Sequence, residues 1–430
     1  MKRQNEDESS QAQNIQSAES VETPSHSDTD EAAEVKQKHA RAELTGFKFI
    51  KPSSHRHTFH LPHSHRSTHS HRSHHSSRRH HHHKKKKMKR WKKVLLIVLS
   101  VFLALVIAFA GTVFYLIQSG RSELFDTDLK VIVPETVQAE VQDNGDYIYY
   151  KGATYKYNRD ITNLLFLGVD KRNIEGENVQ GTGGQADAIV MIALDVKHRK
   201  MTMTAVPRDT IAEVALYTPG GNYNGMQNMQ VCLAYAYGDG KESSCENTVA
   251  SVKRIFYNLP VKTYYALDLD GIAAMNDSVG GVDVVSPEDV KNPDADNALV
   301  FAKGGSYHLE GRQAEQFVRL RDTSRLDSSL LRLERQKVYA NSFLKKMTKN
   351  IKSDITSAVT LFNESSPYSC TNLSASKVAY LARELAFEGG MTTEMQSVPG
   401  KISYDGKLAK YEVDNEKFFE QFLSIYYEKM

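Results

Sequence analysis

The stretch "FVRLRDTSRLDSSLLRLERQ", Phe317 to Gln336, crowds Arg319, Arg321, Arg325, Arg332 and Arg335 together, with only Asp322, Asp327 and Glu334 to balance them. Guanidinium groups in that number either form the solvated face of a helix or converge on an anion. Their planar fork matches phosphate oxygens bidentately, which lysine does less well. In an extended stretch Arg319 and Arg321 point to the same side. In the helix expected to follow, Arg332, Arg335 and Gln336 have the i, i+3, i+4 spacing of one stripe. Leu326, Leu330, Leu333 and Val338 are then free to bury elsewhere.

A second group of charges lies upstream. Asp170 ends the apolar run "NLLFLGVD", Asp187 opens "DAIVMIALD", and Arg208 and Asp209 end "KMTMTAVPRD". The length and β-branched content of these runs predict buried strands. "VKHRK" is short enough to join the second and third as a hairpin. If all three pair antiparallel, Asp170, Asp187, Arg208 and Asp209 meet at one rim of the sheet, where such folds place their ligands. Paired carboxylates with little histidine nearby suit a hard divalent cation such as Mg2+. Singly, each aspartate also reads as an ordinary turn residue. Opposite a set of arginines, a metal-bridged diphosphate is the economical ligand.

The remaining pattern supplies the elements that must position these groups. "NTVASVKRIFYNL", "GIAAMNDSVGG", roughly Ser328 to Asn350, "SASKVAYLARELAF" and "NEKFFEQFLSIYYEKM" read as helices. "DYIYYKG", "KTYYALDLD" and "VDVVS" read as strands. Strands and helices alternate, so the fold class is α/β, an α-β-α sandwich with a mixed central sheet. Of the 17 histidines only His198 and His308 lie beyond the N-terminal tail, so a three-histidine zinc site is excluded and a Ser-His-Asp triad has little to draw on. Cys232 and Cys245 are spaced to close a small loop by a disulfide; Cys370 has no evident partner.

Residues 1–90 are acidic and then rich in His, Arg and Lys, with too little apolar content to bury a core, and are expected to be disordered. Residues 94–118 carry no charge, and about 20 apolar residues suffice to cross a bilayer. Trp91 and Tyr115 suit the two interfaces. "RRHHHHKKKKMKRWKK" before the run, against a lone Arg121 close after it, predicts a signal-anchor with a cytoplasmic N-terminus and an extracytoplasmic remainder in the cell membrane. A stalk with short strands is expected over 122–157, a catalytic domain over 158–352 and a helical C-terminal part over 353–430. With no helix-turn-helix beside the basic tail, no nucleic-acid partner is expected.

On "NLLFLGVDKR", "QADAIVMIALD", "MTAVPRDT", "YYALDLDGI", "VGGVDV", "YHLEGRQAEQFVRLR" and "RLERQ", taken in order, the chain resembles the LytR-CpsA-Psr family of cell-wall glycopolymer ligases. The resemblance implies a membrane-anchored phosphotransferase that takes a glycan phosphate from a polyprenyl-pyrophosphate carrier, with membrane lipid as a partner, and joins it to peptidoglycan with Mg2+. By position, Asp170 and Asp187 would hold the metal. Arg208, Arg319, Arg321, Arg332 and Gln336 would grip the pyrophosphate, with Arg335 in the same motif. Asp187, Arg208 and Asp209 are the catalytic candidates, Asp209 as base or as orienter of Arg208. One departure stands out: Gln185 occupies a place where the family usually has arginine, and Arg172 or Arg325 is the candidate to supply that charge. The same site with water as acceptor would be a lipid-pyrophosphate phosphatase. Without turnover it would be a wall- or lipid-binding regulator.

Overall fold

The uncharged run from Val94 to Gln118 lies within α1 (Arg90–Leu124), whose apolar side chains are exposed along most of its length. It is the one helix among the described residues that is long and apolar enough to cross a membrane. A computed structural model describes residues 89–125, 128–173, 183–322, 324–387, 389–404, 406 and 408–430. The expected disordered tail lies outside these up to residue 88. The last turns of α1 dock on the folded part. Gly120 is buried so closely that a Cβ there would fall 2.0 Å from the Ser376 carbonyl oxygen. Ser374 and Ser376 hydroxyls donate to Glu123 at 2.9 and 2.8 Å.

The stretch expected as a stalk is part of the main core. β1 (Ala139–Gln142), β2 (Tyr147–Tyr150) and β3 (Ala153–Tyr157) join the C-terminal β18 (Tyr427–Lys429) in an antiparallel sheet. Ile148, Tyr150 and Tyr157 pack with Phe418, Phe419 and Phe422 of α9 (Asn415–Tyr426), including a Tyr150–Phe419 edge contact at 5.1 Å.

The three apolar runs form β4 (Ile161–Val169), β5 (Ala186–Asp195) and β6 (Lys200–Ala205), antiparallel as their lengths and connections imply. They are the centre of a six-stranded mixed sheet, ordered β14-β9-β4-β5-β6-β15, in which β9 (Thr263–Leu267) runs parallel to β4 and β15 (Thr392–Ser397) parallel to β6. β14 (Ser369–Thr371) is the antiparallel edge. Alternation along a strand sends neighbours to opposite faces. Leu165, Leu167 and Val169 face a core closed by α3 (Glu242–Ile255) and α9, while Leu164, Phe166 and Gly168 line a cavity on the other face. That second face is covered by α6 (Ser328–Ser353), α7 (Thr356–Ser365) and α8 (Ala375–Ala386). Each fully buried Leu or Val contributes about 1.5–3 kcal/mol. Two-sided burial of so long a strand is what holds its end at a defined place.

Further elements decorate this sandwich. β7 (Ile211–Tyr217) and β8 (Tyr223–Gln230) form a hairpin, followed by the one-turn α2 (Leu233–Ala236). α4 (Leu269–Ser278) begins at Asp268, a buried cap whose side chain accepts from Gly271 N at 2.8 Å. Paired β10 (Val282–Val285) with β13 (Ser306–Leu309), and β11 (Val290–Asn292) with β12 (Ala298–Phe301), precede α5 (Arg312–Arg319). β16 (Gly400–Tyr404) and β17 (Ala409–Val413) form a last hairpin.

Candidate functional site

At the end of β4 the register pairs Val169 with Ala186, so Asp170 and Asp187 emerge at the same rim. Gly184 makes the close approach possible. Its φ is +89°, and a Cβ there would lie 3.1 Å from Asp170 Oδ1. Gln185 N donates to that oxygen at 2.5 Å. β6 returns to the rim and delivers Arg208, whose guanidinium contacts Asp187 Oδ1 and donates to Gln185 Oε1. Arg332, on the first turns of α6, reaches the other oxygen of the same carboxylate, with Nη1 2.7 Å from Asp187 Oδ2. The Arg208, Arg332 and Asp187 side chains are 13%, 4% and 17% exposed, so all three groups are largely withdrawn from water.

Arg321 stands beside them. Among the described residues it forms no ion pair or hydrogen bond, and burial, then the Arg332 and Arg208 charges, lower its pKa, with partial compensation from Asp209. Burial, then Arg208, pushes Arg332 down to about 10. Asp209 is itself buried. Its Oδ1 lies 3.6 Å from Arg208 Nε and accepts from Gln230 Nε2 at 2.9 Å, which places it as a brace for Arg208.

Arg319 ends α5 instead of lying in an extended segment, because the helix runs one residue past the expected break at Val318. It is exposed, its Nη1 lies 3.4 Å from Glu315 Oε1, and it borders the cavity mouth together with Gln336. Arg335 is a correction to the expected stripe. It is fully buried and donates to the Phe317 and Leu320 carbonyls, with Nη1 2.5 Å from Glu288 Oε1, so it ties α6 to the C-terminus of α5. Carbonyls left without intrahelical partners at a helix end also attract a cation. Neither candidate for the charge absent at Gln185 supplies it. Arg172 is paired with Asp270 and Glu315, and Arg325 with Asp327 at 2.9 Å. Cys232 and Cys245 are separate buried thiols, not a disulfide; Cys232 Sγ lies 3.8 Å from Gln185 Oε1, and Cys245 meets Cys370.

Behind this rim lies what spacing alone did not reveal, a cavity of about 380 Å³ between the sheet and α6–α8. Phe166, Val190 and Tyr265 form its sheet wall, and Phe343, Leu361 and Leu381 its helix wall, while Asp170, Asp187, Arg319, Arg332 and Gln336 stand along its lining. Leu344 lines it as well, whereas Phe256, with Val249 packed against it, is part of the core on the opposite face of the sheet.

Comparison with known proteins places this architecture. The LytR_cpsA_psr family model matches residues 131–423. The chain belongs to the LytR_cpsA_psr family. A Streptococcus agalactiae protein, gbs0355, shares the fold, with a TM-score of 0.51 and 19% identity over 62% of this chain and 86% of that one. The polyisoprenyl-teichoic acid–peptidoglycan teichoic acid transferase TagV of Bacillus subtilis is 29% identical over 187 residues, 43% of either chain. The corresponding TagU of Bacillus cereus is 32% identical over 158 residues, 37% of this chain and 43% of that one. The chain thus aligns with less than half the length of these two LytR_cpsA_psr relatives.

Proposed function

We propose that this protein is a membrane-anchored phosphotransferase that moves a glycopolymer phosphate from a polyprenyl-pyrophosphate carrier onto peptidoglycan. The observation that carries this reading is the joining of an apolar cavity to a cluster of arginines at one rim. Such a site matches one ligand with a hydrocarbon tail and a diphosphate head. The names of the TagV and TagU relatives support the same substrate class. The α1 helix is the anchor, and its strongly basic N-terminal flank directs residues after Arg121 to the outer side of the cell membrane.

The reaction transfers a phosphoryl group. A hydroxyl of the acceptor glycan forms a new P–O bond to the sugar-linked phosphorus, the bridging P–O bond of the diphosphate breaks, and polyprenyl monophosphate leaves. Arg321, with no carboxylate of its own, meets the incoming charge, and Arg208 and Arg332 flank it. Fixed cations in a water-poor site stabilise charge accumulating in the transition state without reorganisation. Asp209 and Gln185 orient Arg208. A carboxylate of the rim, Asp187 or Asp209, takes the acceptor proton.

Mg2+ fits this donor set. Asp170 is exposed at the rim to which Asp187 also comes, so two carboxylates stand there, and no group of three candidate ligands stands among the described residues. Magnesium commonly takes one or two carboxylates and completes its shell with water and phosphate. Bound there, it would neutralise charge on the diphosphate.

The test is product analysis with the full membrane protein, a polyprenyl-pyrophosphate glycan and peptidoglycan, with and without chelator. The expected result is glycan joined to the wall polymer and free polyprenyl monophosphate, lost on chelation. Inorganic phosphate and unattached glycan would instead identify water as the acceptor. No turnover under any condition would reject the enzyme reading.

A further inference from the structure

The β7–β8 hairpin is rooted in the arginine site. It leaves the sheet directly after Asp209, and on its return Val231 N donates to Thr210 O at 2.8 Å and Cys232 N to Arg208 O at 3.2 Å. Between its inner face and α3 lies a second cavity, of about 520 Å³, separate from the apolar one. This volume falls in the range of about 300–1,000 Å³ typical of small-ligand sites. Its lining is of a different chemical kind. Tyr217, Tyr223 and Met226 come from the hairpin, and Glu246, Asn247 and Arg254 from α3.

Three observations bear on the ligand. A shift of register in the hairpin sets Tyr223 opposite Tyr217, with ring centroids 6.0 Å apart and planes at 69°, and Tyr223 remains 61% exposed. An aromatic ring so presented offers a face for C–H groups. Asn247 is only 5% exposed, and its Nδ2 donates to the Ala215 and Ala234 carbonyls at 3.0 and 2.8 Å, yet its Oδ1 has no hydrogen-bond partner. The two Nδ2 bonds fix the α3 wall of the cavity against β7 and α2. Arg254 is already engaged by Glu213, with Nε 3.6 Å from Oε2 and Nη1 donating to the carbonyl at 3.3 Å, so the cavity is not an anion site.

We propose that this cavity is a saccharide subsite, in which a pyranose ring packs on Tyr223 beside the wall that Asn247 fixes. Glu246 and the tyrosine hydroxyls serve the polar groups of the ring. The eight steps from Asp209 to Tyr217 extend roughly 26 Å at about 3.3 Å per strand residue. A polymer whose reacting end is at the arginines spans that distance. The source of the sugar, acceptor strand or transferred glycan, rests on the transferase reading; the subsite itself does not.

The experiment measures binding by full-length protein in detergent, by saturation-transfer NMR and titration. The probes are peptidoglycan glycan strands stripped of stem peptides, donor glycan released from its lipid, and free stem peptide. At least one glycan is expected to bind, and which one does identifies the source. Tyr223→Ala should weaken it at least tenfold and Tyr223→Phe should not, with polyprenyl-pyrophosphate affinity unchanged. Glu246→Ala gives an independent, smaller loss if Tyr223→Ala folds poorly. Binding of neither glycan, wild-type affinity in both alanine variants, or displacement by stem peptide alone would overturn the subsite. A failed transfer assay with intact glycan binding would count against the transferase reading and leave the subsite standing.

Discussion

Arg332 Nη1 meets Asp187 Oδ2 at 2.7 Å, joining the start of a helix to the start of a strand 145 positions away. Arg208 takes the other oxygen of that carboxylate. One half-buried aspartate thus positions two guanidinium groups, and Arg321 beside them has no ion-pair partner among the described residues. The site combines a rigid ion-pair frame with one uncompensated cation.

This division of labour separates two substitutions. Arg321→Ala removes a charge that is repelled by its neighbours, so the unliganded protein should unfold at the same temperature or higher. Transfer should fall about 10²–10³-fold, the usual effect of losing one charge-stabilising donor. Asp187→Ala leaves the buried Arg332 guanidinium unpaired and strips one of two carboxylates from Arg208, and should destabilise by about 3–5 kcal/mol. Thermal unfolding of both variants, with transfer rates for Arg321→Ala, checks the pair.

The depressed Arg332 pKa, about 10, makes alkaline pH informative. An anionic diphosphate binds the protonated form, so affinity should be level near neutrality and fall as pH rises through 10. Stability of the unliganded fold moves the other way. Between about 10 and the ordinary arginine value the unfolded chain holds this proton and the folded one does not, so this group's contribution grows with pH in that window. Titration of diphosphate affinity in wild type and Arg332→Met, which lacks the titrating group, measures the effect.

The cavity is open to a steric test. Ala340 lines it from α6 away from the charged rim. Ala340→Phe should lower affinity for a long polyprenyl pyrophosphate at least tenfold while binding of a short, water-soluble diphosphate is unchanged. Calorimetry with both ligands distinguishes this from damage to the arginines.

Gly120 couples the anchor to the domain, since any side chain there would strike the Ser376 backbone. Gly120→Leu should expose the linking segment to protease and speed amide exchange at the start of α8, while the sheet stays protected. Limited proteolysis of the membrane-bound protein would report it.

The rim was legible in the sequence because strand length and a four-residue turn determine register. The β5–β6 hairpin follows from that, and the antiparallel pairing of β4 with β5, posed from the sequence as a condition, returns Asp170, Asp187, Arg208 and Asp209 to one edge. The Arg-rich stretch was only half legible. Spacing on a helix says that Arg332 and Arg335 are neighbours, but their side chains diverge, one to a carboxylate at the sheet rim and one to the carbonyls ending α5. The cavity was hidden because its walls are the apolar faces of β4, β5, α6, α7 and α8, which read individually as ordinary core. The stalk was misjudged because its partners, α9 and β18, come from the other end of the chain.

The most direct measurement is native mass spectrometry of the detergent-purified full chain, wild type against Arg321→Ala and Ala340→Phe. Tail and head recognition together predict a co-purifying polyprenyl phosphate or pyrophosphate on the wild type, depleted in both variants. A wild-type protein that carries no such lipid when supplied with it, or variants that retain it equally, would contradict the account.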